Sequence, residues 1–193
     1  MRRVLLTGGT GFIGRNAIPF LIKKGYEVHA TFNRHKIKIE DQHNVIWHHC
    51  DLFDPKMQKS LLQKILPTHL LHFAWETTPG KYWTSLENLL WVRASVNLII
   101  NFTLYGGQRA VFSGTCAEYD WSFGHCKENI TPLNPPSLYG ASKILFQEIL
   151  ELYNEEHAKL SSAWGRTFHT YGPCEHPNRL VPEVINALLN GHQ

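Results

Sequence analysis

Tyr139 and Lys143 stand four residues apart in "LYGASK" (138–143), the spacing that puts two side chains on one face of a helix. A free phenol has a pKa near about 10 and is a poor base at neutral pH. An ammonium one helical turn away favours the phenolate and lowers that pKa. Such a pair can exchange a proton with a substrate hydroxyl. Both residue types are common, so the pair by itself fits two ordinary helix positions equally well. The rest of the chain has to decide between them.

A second stretch with chemistry in it is "TGGTGFIG" (7–14). Gly8, Gly11 and Gly14 are spaced three apart, and Gly9, Gly11 and Gly14 also satisfy G-x-G-x-x-G. A side chain there would block a tight turn, the approach of a pyrophosphate to the backbone, or helix–strand packing. N–H groups at the following helix start, around Phe12 and Ile13, then receive the phosphate charge. The motif sits where an apolar run hands over to a helical pattern, the context a dinucleotide site requires. About twenty residues on, a carboxylate would hold the ribose hydroxyls of NAD. Here the chain reads "TFNRHK" (31–36), with Asn33, Arg34 and Lys36 and no acid. A guanidinium suits the extra phosphate of NADP, so NADP is the expected cofactor, with NAD open. A solvated loop residue is the plain alternative for Arg34. Asp51 is placed to accept a hydrogen bond from an adenine amino group, or else simply enters the next helix.

These residues need a scaffold. Short apolar runs at 2–8, 26–32, 44–50, 69–75, 109–115 and 161–168 read as strands. Helical patterns fall at 12–24, 54–66, 84–105, 138–157 and 180–191, with Pro19 expected to bend the first. Asp54 before Pro55 is a strong helix start. This alternation predicts one domain, a doubly wound Rossmann-like α/β fold whose parallel sheet carries helices on both faces.

Bulk properties exclude other classes. The 193 residues are 43% hydrophobic and 18% charged, with a net charge of +3. That is a globular composition with no basic stripe, so no nucleic-acid partner is expected. The four cysteines form no C-x-x-C pair. "WHHC" (47–50) and "GHC" (124–126) invite a metal reading, but His48 and His49 would point to opposite faces of a strand, and no metal is expected. The N-terminal apolar run ends at Thr7, too short for a signal peptide, and no stretch reaches membrane-span length. A cytoplasmic, membrane-free protein is the expectation.

Taken together, "TGGTGFIG", "DL" (51–52), "HFAW" (72–75), Asn97, "VFSGT" (111–115), "YGASK" (139–143) and "YGP" (171–173) resemble the extended short-chain dehydrogenase/reductase family, the NAD-dependent epimerase/dehydratase group acting on nucleotide sugars. "GTCAEYDW" (114–121) and "AWGRTF" (163–168) are similar to a bacterial subgroup linked to deoxysugar biosynthesis. The resemblance implies a Thr115–Tyr139–Lys143 triad, with Tyr139 moving the proton, Thr115 bonding the reacting oxygen and Lys143 also holding the cofactor ribose. It further implies cofactor contacts at Leu52, Phe73 and Ala74, and a homodimer through the helices at 84–105 and 138–157.

Departures from the family pattern narrow the reading. Family dehydratases carry an acid pair after the threonine, where this chain has Cys116 and Ala117. Glu118 comes one residue later, on the other face if the segment is extended. Dehydration is therefore disfavoured, leaving epimerisation or keto-sugar reduction. His169 replaces a substrate-touching asparagine, and Trp75 replaces a small residue and narrows the cofactor or sugar pocket. Arg179 is placed to reach a nucleotide diphosphate. The family runs on for another hundred residues or more, so 175–193 reads as the start of a truncated substrate lobe. Two readings follow: an NAD(P)-dependent oxidoreductase or epimerase on a nucleotide-linked sugar, or a non-catalytic dinucleotide-binding remnant acting as a sensor or interaction module.

Overall fold

The computed structural model of the chain describes residues 2–33, 44–157 and 160–191. Among the described residues, six strands and five helices alternate: β1 (Arg3–Thr7), α1 (Phe12–Lys23), β2 (Glu27–Phe32), β3 (Val45–His49), α2 (Pro55–Ile65), β4 (His69–His72), α3 (Glu87–Leu104), β5 (Arg109–Thr115), α4 (Leu138–Glu156), β6 (Ser161–Thr167) and α5 (Leu180–Leu189). Two short 3-10 turns, Cys116–Glu118 and Trp121–Phe123, follow β5. The helix starts are chemically explicit. The Asp54 carboxylate accepts from the N–H groups of Lys56 and Met57 at 2.8 and 3.3 Å, with Pro55 in the first helical position. The α1 helix runs through Pro19 to Lys23.

The strands pair in parallel, in the order β3-β2-β1-β4-β5-β6. From the outer strand β3 the chain crosses by α2 to β4, on the far side of β1. The strand order therefore reverses between β1 and β4, which opens a crevice above their C-terminal ends. Every candidate site segment lies at that end of the sheet.

Successive side chains of a strand go to opposite faces. Leu5 accordingly joins Leu70, Phe112, Leu62, Phe102 and Phe146 in one core, under α2, α3 and α4. Leu6 joins Ala30 and Ile18 under α1. This second cluster is small, and α5 buries no residue and leaves Leu180, Leu188 and Leu189 more than 70% exposed. Among the described residues no helix is long and apolar enough to cross a membrane.

Histidines serve the sheet. His72 is buried at the end of β4, its Nδ1 2.7 Å from the Thr7 hydroxyl and its Nε2 2.9 Å from the Ser95 hydroxyl, so it ties β1 to α3. His48 bonds His29 while His49 packs on Phe32. Among the described residues no group of three or more His, Cys, Asp or Glu side chains could hold a metal ion. Burial, with a smaller push from Lys143, lowers His72 to about 3. Its folded pKa is thus depressed, so its contribution to stability is complete above about pH 6.5. That contribution is lost as pH falls toward 3, because the unfolded state binds the extra proton. The unfolding free energy from urea titrations between pH 6 and 4 is expected to fall by about 1.4 kcal/mol per pH unit from this residue alone. A His72→Phe variant should show a flatter profile, and an unchanged one would contradict the assignment.

Candidate active site

The glycine loop closes by contact with itself. Gly8 has φ +70, and a Cβ on it would lie 2.7 Å from the Ala74 nitrogen. A Cβ on Gly14 would lie 2.2 Å from the Gly8 carbonyl oxygen. The loop and the first turn of α1 can therefore pack only as glycine. Gly11 donates its N–H to the Gly8 carbonyl at 3.0 Å and caps α1 with no side chain. The N–H groups of Phe12, Ile13 and Gly14 follow, with no intrahelical carbonyl to meet. Together with the helix dipole they form a cradle that fits a diphosphate.

Flanking the cradle, Asn33 is exposed just after β2. Arg34 and Lys36 lie outside the described residues. Asp51 spends one carboxylate oxygen on the Phe53 N–H at 2.9 Å. Leu52 is buried in the larger core, and its carbonyl accepts from the Gln58 amide. Asn97 likewise turns to Gln58, at 2.8 Å. Residues 73–75, expected within β4, leave the sheet after His72. The Thr7 hydroxyl takes the Ala74 N–H at 3.3 Å and the Thr7 carbonyl takes that of Phe73 at 3.2 Å. Phe73 then packs toward α1 and Ala74 toward the larger core.

On the other side of the crevice, "PPSLYG" starts α4. The Ser137 hydroxyl caps the helix by accepting from the Gly140 N–H at 3.2 Å. The Tyr139 N–H, free of an intrahelical partner, goes to the Trp83 carbonyl at 3.2 Å. A Cβ on Gly140 would lie 2.5 Å from the Ala117 carbonyl oxygen. Glycine there lets α4 press against the turn after β5, which brings Tyr139 to Thr115. The Lys143 ammonium donates to the Ser113 carbonyl at 2.8 Å. It sits 5.9 Å from the Tyr139 ring centroid and 3.7 Å from that of Trp75. Thr115, Tyr139 and Lys143 are 8, 9 and 4% exposed.

Electrostatics here depart from the sequence expectation of an acidic phenol. Burial pushes Tyr139 up to about 12, only partly opposed by the Thr115 hydroxyl. Burial pushes Lys143 down to about 7, with Glu118 opposing. The ammonium is directed at a carbonyl and an indole face, and its own charge is weakened by desolvation, so it does not make the phenol acidic. At neutral pH Tyr139 holds its proton.

Glu118 is a second correction. The segment after Thr115 is a 3-10 turn, not an extended one, and the Glu118 side chain is fully buried. Its carboxylate accepts from the Thr115 N–H at 2.7 Å, from Trp164 Nε1 at 3.1 Å and from Arg166 Nε at 2.5 Å. Arg166 also donates to the Gln147 amide oxygen at 2.7 Å. The acid thus positions the end of β5. Cys116, beside it, is pushed up by burial and stays a thiol.

The segment from Trp75 to Leu86 roofs Tyr139 and Lys143. Tyr82 and Trp83 meet the Tyr139 ring edge-on, with centroids 4.9 and 5.9 Å away. Lys81 ties the segment down through Glu76 at 3.0 Å and Glu87 at 3.1 Å. Arg179 caps α5 and reaches this roof, donating to the Thr77 carbonyl at 3.3 Å, with its guanidinium 5.8 Å from the Tyr82 ring centroid. His169 is exposed beyond β6, its ring 6.4 Å from that of Trp121. The contacts of Tyr82 and Trp83 with Tyr139, and of the Ser113 carbonyl with Lys143, are ones that motif reading misses. Only the density of aromatics in "AWETTPGKYW" hints at the roof.

Comparison with known proteins gives the arrangement a context. A family model described as NAD dependent epimerase/dehydratase family matches residues 4–193. The chain is 27% identical over 219 residues to "UDP-glucose 4-epimerase 2" of Oryza sativa subsp. japonica, covering 98% of this chain and 52% of that protein. It is 23% identical over 204 residues to "dTDP-D-glucose 4,6-dehydratase" of Mus musculus, covering 100% of this chain and 57% of that protein. Among solved structures, the UDP-glucose 4-epimerase of Thermus thermophilus in complex with NAD superposes with a TM-score of 0.82 at 29% identity, covering 98% and 63% of the two chains. The UDP-N-acetylglucosamine 4-epimerase of Methanobrevibacter ruminantium, in complex with UDP-N-acetylmuramic acid, gives 0.85 at 26% identity, covering 100% and 64%. The chain thus spans between half and two thirds of these relatives' length.

Proposed function

Because the chain belongs to the NAD dependent epimerase/dehydratase family, we propose that it is an NAD(P)-dependent oxidoreductase or epimerase acting on a nucleotide-linked sugar. What supports this reading is the nearness of Tyr139 and Lys143, in the first turns of α4, to the end of β5 where Thr115 stands, with the Lys143 ammonium 5.9 Å from the Tyr139 ring centroid. Gly8, Gly11, Phe12, Ile13 and Gly14 would hold the diphosphate, and Lys143 the far ribose. Bound there, a nicotinamide supplies or recovers a hydride. Tyr139, protonated at neutral pH, gives its proton to a sugar carbonyl oxygen as that carbon is reduced, and Thr115 bonds the same oxygen. Protonated Tyr139 is the form that keto-sugar reduction uses, the half-reaction that an epimerase and a reductase share. Cys116 and Ala117 offer no carboxylic acid for dehydration.

The preferred cofactor in this reading is NADP, from the missing acid after β2 and from Arg34. Arg179 and His169 serve the nucleotide and sugar at the mouth of the crevice, and Trp75 narrows the pocket over Lys143. A homodimer forms through α3 and α4, whose outer faces expose Leu89, Ile100, Leu104, Leu145 and Leu152; sedimentation as a monomer at micromolar concentration would remove it. The proposal is tested by mixing the protein with NADPH and UDP- or dTDP-linked keto-sugars and following nicotinamide absorbance. Steady oxidation supports it. Binding without oxidation of NADPH by any of them supports the second reading, a non-catalytic dinucleotide-binding module, which the roof over the triad favours.

A further inference from the structure

The two halves of the crevice differ. At the glycine end Gly11 is exposed and the cradle lies open. At the triad end the face of the Trp75 indole covers the Lys143 ammonium at 3.7 Å. Two further contacts hold the indole. Its Nε1–H donates to the Asn88 carbonyl oxygen at 2.8 Å. Asn88 is fully buried and fixed by its own amide, which donates to the carbonyls of Tyr82 and Ser85 at 2.7 and 2.8 Å. The indole also stacks with Trp91, centroids 6.0 Å apart. A second ring, Tyr82, links this arrangement to Tyr139.

We propose that Trp75 is a specificity-determining residue that makes the site distinguish ligands ending in adenosine diphosphate from complete dinucleotides. This rests on the dinucleotide reading of the glycine cradle. An ADP group occupies the cradle with Trp75 in place. A complete dinucleotide brings a second ribose to Lys143, and its hydroxyls can reach that ammonium only by displacing the indole from it. Exchange of the cation–π contact and of the Asn88 hydrogen bond for ribose contacts lowers the apparent affinity by the fraction of molecules with Trp75 displaced. Nicotinamide binding and opening of the triad become one event, because the same movement loosens the roof that buries Tyr139.

The test uses the full chain with its six tryptophans labelled at the indole nitrogen. Titration with NAD is expected to shift the Trp75 Nε1–H signal as its bond to Asn88 breaks, whereas saturating ADP leaves it in place. Trp75→Ala is expected to tighten NAD binding by about tenfold relative to ADP. NAD binding with the Trp75 signal unmoved would overturn the proposal, as would a Trp75→Ala variant with an unaltered NAD-to-ADP affinity ratio. The wild-type signal decides the matter even where Trp75→Ala does not fold. Failure of ADP, NAD and NADPH alike to bind would instead overturn the dinucleotide site itself, a result distinct from binding without movement of Trp75.

Discussion

Tyr139→Phe is expected to reduce turnover of a keto-sugar nucleotide by about 10²–10⁴-fold, or about 3–5 kcal/mol of barrier, with cofactor affinity retained. The change deletes one oxygen and leaves the ring against Tyr82, Trp83 and the rest of its pocket. What disappears is a hydroxyl beside that of Thr115, with its pKa held high by burial. The split between the two measurements separates a chemical role from a structural one. A packing defect would weaken cofactor binding and stability together. A Tyr139→Phe protein that turns over at the wild-type rate would remove Tyr139 from the chemistry.

Glu118→Ala carries the largest expected effect on stability. Removing one partner of a buried ion pair costs about 3–5 kcal/mol, because the remaining charge has nowhere to go. Arg166 is itself only 16% exposed, and the Thr115 N–H and the Trp164 indole lose the same acceptor. For a domain of this size that corresponds to a fall of about 6–20 °C in melting temperature. In a double-mutant cycle, Arg166→Ala should cost far less in the Glu118→Ala background than alone, since the two share one interaction. A loss below about 1 kcal/mol for Glu118→Ala would contradict the role given to this carboxylate.

Much of the fold is legible in the sequence because period and punctuation agree. Asp54–Pro55 fixes the start of α2, and the crossover pattern leaves one parallel sheet. The glycine loop is legible for the same reason: Gly8 and Gly14 are demanded by a contact that no other residue permits. What sequence does not supply is the environment of each group. Spacing puts Tyr139 and Lys143 on one helix face but says nothing of their burial, and burial reverses the expected sign of the phenol's shift. Glu118 reads as extended because nothing in "TCAEY" announces a 3-10 turn, although Thr115 and Glu118 together form a capping box. Trp75 is recognisable as a departure in size, yet its place over Lys143 depends on Asn88, thirteen residues away.

The central claim is that the turn after β1 grips a dinucleotide by its diphosphate with the far end toward Tyr139. Equilibrium titration with NADPH, followed by its own fluorescence and repeated with NADH, tests this most directly. The account predicts saturable binding that ADP displaces, tighter for NADPH than for NADH, with Arg34→Ala removing the difference. NADH binding tighter than NADPH would contradict the role of Arg34, and no saturable binding of either nucleotide would contradict the claim itself.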